Sequence, residues 1–116
     1  MSDKYILDGK VAVPCEDLMT WGKWFENAKR TVAKDEIENP NDLTDKSTMI
    51  STIFLGLDHS FGGGEPLLFE TMVFGGVLDG EQERCTTWEQ AEQMHADMVK
   101  RVKDATPQKN YFRYVR

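Results

Sequence analysis

Four side chains in this sequence are of the types that acid–base or metal chemistry uses: Asp58, His59, Glu70 and His95. Asp58 and His59 adjoin at the end of the run "STMISTIFLGLDHS". An imidazole beside a carboxylate can relay a proton or hold a metal ion. Adjacent residues in a strand point to opposite faces, however, so Asp58 is not placed to orient His59 while the strand persists. A polar turn entry is the simpler reading of that pair. Glu70 interrupts the apolar run "LLFETMVF" and shares a strand face with Leu68, Met72 and Phe74. A carboxylate in such surroundings needs a partner to stay charged. His95 sits in the middle of an apolar helical stripe. The ordinary explanation for such a residue is a buried neutral imidazole satisfied by a hydrogen bond. The catalytic alternative is a small metal-dependent hydrolase. It requires His95 to meet Glu70 or Asp58 beneath the sheet, close to His59.

Between the two apolar runs lies "LDHSFGGGEP". Phe61, Gly62, Gly63 and Gly64 match neither common phosphate-binding glycine pattern, and no helix follows them. Three glycines do permit unusual backbone angles and close approach to a ligand. This connection is long for a hairpin, and that makes it a candidate contact loop. Asp58, His59, Phe61, Gly62, Gly63, Gly64, Glu70 and His95 are therefore the candidates for binding a ligand or partner. Cys15 and Cys85 form no CxxC, so no zinc spacing exists. Both sit near predicted helix starts, where a thiol pKa can fall, but neither has a His or Asn near it in sequence. No metal, no cofactor and no assignable catalytic residue is expected, and the balance leans away from an enzyme.

The elements that must position these residues follow from pattern. Asp8-Gly9 between "YIL" and "KVAV" signals a hairpin. Residues 15–29 read as a helix with Leu18, Trp21, Phe25 and Ala28 on one face, and with Glu16 and Asp17 in the first turn. Gly22 weakens that helix unless it serves close packing. Thr31–Ile37 reads as a strand, and the polar segment 38–47 as a mobile loop. Ser47–Asp58 and Leu67–Val77 read as two long strands, with a turn at Asp79-Gly80 and a short exposed strand in "EQERC". Thr86 or Thr87 then caps the best helix, each with Glu or Gln three residues on. Its stripe is Trp88, Ala91, His95, Met98, Val99 and Val102. "NYFRYVR" reads as a last strand or a docked aromatic tail.

"LDGKVAVPC" and "LDGEQERC" each precede a Trp-bearing helix, an internal echo in which a hairpin's second strand feeds a helix. Two such blocks imply an α+β fold: a single antiparallel sheet of about four to six strands with two helices packed on one face. A chain of 116 residues makes one domain of residues 1–116. With 14 Lys and Arg against 20 Asp and Glu, the net charge is -6. That disfavours direct nucleic-acid binding and suits a soluble surface or a basic partner. No apolar run approaches the roughly 20 residues that span a bilayer, and the start "MSDKYILDGK" lacks the apolar core of a secretory signal. A cytosolic protein with reduced thiols is expected.

The segments "YILDGKVAVPCEDLMTWGKWFE", "STIFLGLDHSFGGGEPLLFETMVFGG" and "LDGEQERCTTWEQAEQMHADMV" together resemble a family of small uncharacterised proteins encoded by tailed bacteriophages and prophages. The resemblance implies a phage context and a location in the host cytosol, and it carries over no catalytic residue. The expectation is an acidic accessory protein that binds a host protein or a small nucleotide-like ligand, with counter-defence as its use. A virion or replication assembly component, with a homodimer formed through an exposed strand edge, is the remaining alternative.

Overall fold

A computed structural model describes residues 3–40 and 47–106. Asp8-Gly9 closes the hairpin of β1 (Tyr5–Asp8) and β2 (Val11–Pro14). Gly9 has φ +64°, the conformation that a short hairpin turn asks for. α1 (Leu18–Asn27) follows, then β3 (Thr31–Glu38), β4 (Ser47–Phe54), β5 (Phe69–Phe74), β6 (Gln82–Cys85) and α2 (Trp88–Ala105). β3 to β6 form an antiparallel sheet in sequence order, while β1 and β2 form a separate two-stranded sheet. The α+β class and the antiparallel pairing are as the sequence predicts. The division into two sheets differs from the single sheet expected from the echo. No helix among the described residues is long and apolar enough to cross a membrane.

The reason for the division is local. β4 ends at Phe54, and Gly56 turns the chain with φ +78°. The first hairpin attaches there instead of extending the sheet edge. Tyr5 donates its N–H to the Gly56 carbonyl at 2.9 Å, and Lys4 bridges Leu57. The Trp21 indole N–H is shared between the Tyr5 and Gly56 carbonyls, each at 3.1 Å. The Phe25 ring lies where a Cβ on Gly56 would stand, at 2.9 Å. One glycine thus joins the exit of β4, the hairpin and α1.

The inner face of the main sheet is set by strict alternation. Thr48, Ile50, Thr52 and Phe54 of β4 are buried, and their neighbours are half-buried. Phe69, Thr71 and Val73 of β5 lie on the same face, because the register pairs Ile50 with Val73, Thr52 with Thr71 and Phe54 with Phe69. α2 covers this face. Ile50, Val73, Met98 and Val102 make one core cluster. Phe54, Leu68, Phe69 and Ala91 make the other, with Trp24 of α1 and Tyr5, Leu7 and Ala12 of the hairpin against it. α2 packs along the sheet, while α1 lies against the first hairpin and reaches this face through Trp24 on Phe54. Thr87 caps α2 in a capping box with Gln90, which decides between the two candidate caps. Met94 joins the buried stripe that the sequence pattern assigned without it.

Three expectations tighten. Asp17 is the N-cap of α1 and lies outside its first turn; it accepts the Thr20 N–H at 3.1 Å. Of the segment expected as a loop, Glu38 and Ser47 belong to strands. Asn39 is buried and accepts a hydrogen bond from Thr48 at 2.9 Å. Residues 41–46 and the aromatic tail at 107–116 lie outside the described residues. Gly22 serves no close packing, since a Cβ there meets nothing within 4 Å.

Two glycines should therefore respond in opposite directions. Gly22→Ala is expected to stabilise the protein by up to ~1 kcal/mol through helix propensity. Gly56→Ala, with its left-handed backbone and a ring in the way, is expected to destabilise it by about 1–2 kcal/mol or more. Urea denaturation of the two variants checks both signs.

Candidate functional site

His95 enters from the middle of α2, where Ala91, Met94 and Met98 hold the helix against the sheet. The residue is 5% exposed, and its ring has two partners. Nε2 lies 2.7 Å from Asp35 Oδ2, and Nδ1 lies 2.7 Å from Thr52 Oγ1. Thr52 Oγ1 is in turn 2.5 Å from Thr71 Oγ1. A carboxylate only accepts, so Nε2 carries the proton. In the neutral ring Nδ1 then accepts from the Thr52 hydroxyl, and Thr52 accepts from Thr71. Every group in the row is satisfied. One hydrogen bond was expected for this imidazole; it has two, and its carboxylate is Asp35 of β3.

Asp, His and a hydroxyl in sequence resemble the order of an acyl-transfer triad. Such a nucleophile must be open to its substrate. Thr52 and Thr71 are both 0% exposed and lie between α2 and the sheet. The row is a polar staple within the core, with Asp35, whose side chain is 54% exposed, as its one end toward water.

Glu70 does not join it. Phe69 and Thr71 face α2, so Glu70 between them projects from the other face of the sheet. There it accepts a hydrogen bond from Arg84 Nε at 2.9 Å, directly across the β5–β6 ladder. This explains how a carboxylate is held in an apolar strand. It also separates Glu70 from His95, so the convergence that a hydrolase of Asp58, His59, Glu70 and His95 requires is not formed. Among the described residues, no three His, Cys, Asp or Glu side chains gather in the manner of a metal site.

Asp58 and His59 do not bond each other. Asp58 Oδ1 accepts N–H groups from Ser60 at 2.8 Å and Leu67 at 2.9 Å, and Oδ2 accepts the Ser60 hydroxyl at 3.0 Å. Partial burial pushes its pKa up, but the Ser60 and Leu67 N–H groups outweigh this and hold it below the usual value. His59 Nδ1 lies 2.9 Å from its near neighbour, the Leu57 carbonyl, and the His59 N–H donates to Leu67 O at 3.0 Å. With Leu55 N–H donating to Leu68 O at 2.7 Å, ladder-like bonds continue past β4 and β5. The part of the connection beyond these bonds shrinks to residues 61–66.

At its tip Phe61 is 84% exposed, with φ +48°. Gly62, Gly63 and Gly64 follow with φ of +118°, +139° and +82°. Four successive residues in this region reverse the chain sharply, and only the first is not glycine. The Phe61 ring meets the His59 ring edge-on, with centroids 5.8 Å apart. The loop therefore has a tied base, an imidazole side support and an aromatic at its apex. Of the eight candidates, Asp58, His59, Phe61, Gly62, Gly63 and Gly64 come together here. Glu70 and His95 stand apart from it and from each other.

Asp35, Thr52 and Thr71 were not singled out by sequence reasoning. The signal that could have found them is a histidine inside an apolar stripe, which demands polar residues on the strands it faces. Burial pushes the Cys85 thiol up to about 11, away from the thiolate that a nucleophile needs at neutral pH. Comparison of the chain with protein-family models, curated proteins and solved structures gives no match.

Two measurements check these assignments. Thr52→Val leaves a buried imidazole nitrogen without its partner and is expected to cost ~1–3 kcal/mol in denaturant unfolding. For Asp58, a depressed folded-state pKa means its contribution is full above the unfolded value of ~3.9 and lost as pH falls through the folded value. The stability gap between wild type and Asp58→Asn should therefore be constant near neutrality and narrow below about pH 4.

Proposed function

We propose that this chain is a small phage-encoded accessory protein that acts by binding a host protein, with the 58–65 loop as its contact element. The observation that supports this reading most is Phe61: 84% exposed, while Asp58 ties the loop beneath it with three hydrogen bonds. Large aromatics are enriched among the residues that carry binding energy at interfaces. Ordering the base in advance lowers the entropy lost on association. A projecting aromatic suits a hydrophobic pocket on a partner protein better than it suits a small nucleotide-like ligand, which needs a concave site. The net charge of -6 adds long-range attraction toward a basic partner.

The test places a photo-reactive benzoylphenylalanine at position 61 in host cells. A discrete adduct with one host protein is expected. Unlabelled wild-type chain should compete it away, and Phe61→Ala should compete about 30-fold less well, the equivalent of ~2 kcal/mol. The Phe61→Ala variant should unfold at the wild-type midpoint, because that side chain packs on little. Equal competition by both chains would remove the loop from the account, and an adduct only with virion components would remove the host-directed reading.

A further inference from the structure

Seven large apolar side chains are exposed among the described residues, and four of them, Leu18, Met19, Leu57 and Phe61, come from one end of the molecule. Leu18 and Met19 are 63% and 69% exposed. Backbone hydrogen bonds set the segments that carry these four side by side. Cys15 donates its N–H to the Lys4 carbonyl at 2.8 Å, and Asp58 donates to the Asp3 carbonyl at 2.8 Å. Lys4 also bridges Leu57. Residues 3–5 thus run between the end of β2 and the base of the 58–65 loop. The three segments span two strand spacings, about 10 Å.

α1 brings its first turn to this end. The Phe54 N–H donates to the Arg30 carbonyl at 2.7 Å, so the chain beyond α1 lies beside the end of β4. The Phe25 ring lies against Gly56, two residues further along. The Trp21 indole reaches the Tyr5 and Gly56 carbonyls. Followed backwards, the helix therefore runs from Phe54 toward the loop. Leu18 and Met19 form the turn before Trp21, on the side of Leu57.

The charge at this end selects the occupant. Residues 3–4, 15–19 and 57–65 hold Asp3, Glu16, Asp17, Asp58 and Glu65 against Lys4, five carboxylates and one ammonium for a net charge of −4. Two such ends facing each other would repel, which disfavours a second copy of the chain. An anionic membrane surface is disfavoured in the same way. The width of about 10 Å matches the diameter of one α-helix. A helix with lysines or arginines beside its apolar stripe answers both the apolar and the acidic groups. The grooves between its side-chain ridges supply the hydrophobic pocket that Phe61 needs.

We propose that Leu18, Met19, Leu57 and Phe61 form one docking face, and that this face takes a basic amphipathic helix of the partner protein. The inference rests on the reading of the 58–65 loop as the contact element, and it adds α1 to that element.

The probe is a synthetic peptide of about five helical turns, with leucines on one face and lysines on the other. Its twin carries glutamate in place of lysine. Binding of each to the full chain is read by fluorescence anisotropy. The lysine peptide is expected to bind, less tightly as salt rises, and the twin to bind at least about 10-fold more weakly. The pair Leu18→Ser, Met19→Ser and the single change Phe61→Ala should each weaken the lysine peptide about 10-fold. Val77→Ser, at an exposed apolar site elsewhere, should leave it unchanged. All three variants should unfold at the wild-type midpoint. Dilute peroxide should oxidise Met19 ahead of the buried Met94 and Met98. Equal binding of the two peptides, or none, would overturn the proposal, as would a Met19 that oxidises no faster than the core methionines. Weakening by Phe61→Ala alone would overturn it and leave the loop reading standing. Weakening by the α1 pair with Phe61→Ala silent would overturn both.

Discussion

The structure depends on burying the α2 stripe against the inner face of a four-stranded sheet with an imidazole in the middle of the contact. Apolar burial drives this packing, but a histidine among Ala91, Met94 and Met98 would oppose it if its nitrogens were left unpaired. The sheet answers both nitrogens at once, with Thr52 from a central strand and Asp35 from an edge strand. Each partner comes from a different strand, so the helix, β3 and β4 are fixed relative to one another. Thr71 extends the same constraint to β5. A row of directional bonds specifies register in a way that Val and Met contacts alone do not.

With that row assigned to the core, the chemistry suggested by residue type separates into distinct roles. His95 holds the sheet to its helix. Glu70 forms a cross-strand pair with Arg84 on the reverse face. Asp58 folds a loop by collecting N–H groups, and His59 supports the aromatic above it. None of these roles needs a substrate. At one end of the β4–β5 hairpin, Phe61 projects into solvent.

Much of the fold was legible because it is local. The Asp-Gly turn and the capping box each lie within a few residues and formed as read, and the β-branched run from Ser47 formed a strand that ends at Phe54, short of the expected Asp58. The parts that were not legible are nonlocal. Asp35 meets His95 across 60 positions of sequence, and the choice of Asp35 over Glu70 turns on which face of a strand each occupies. The repeat of Leu-Asp-Gly suggested two equivalent hairpins in one sheet, yet the first is diverted by Gly56, whose role appears only when the Phe25 ring and the Tyr5 N–H arrive beside it. For the candidate site, the sequence supplied the loop and its members. It did not supply the split between loop, core row and reverse-face pair.

The most direct test of this account is the nitrogen-15 NMR spectrum of the His95 ring, recorded for wild type, Asp35→Asn and Glu70→Gln at neutral pH. The account predicts a ring protonated at Nε2, with its signals moved by Asp35→Asn and left in place by Glu70→Gln. A ring that responds to Glu70→Gln and ignores Asp35→Asn would put the carboxylates on the wrong faces. It would reopen a catalytic reading of the histidine.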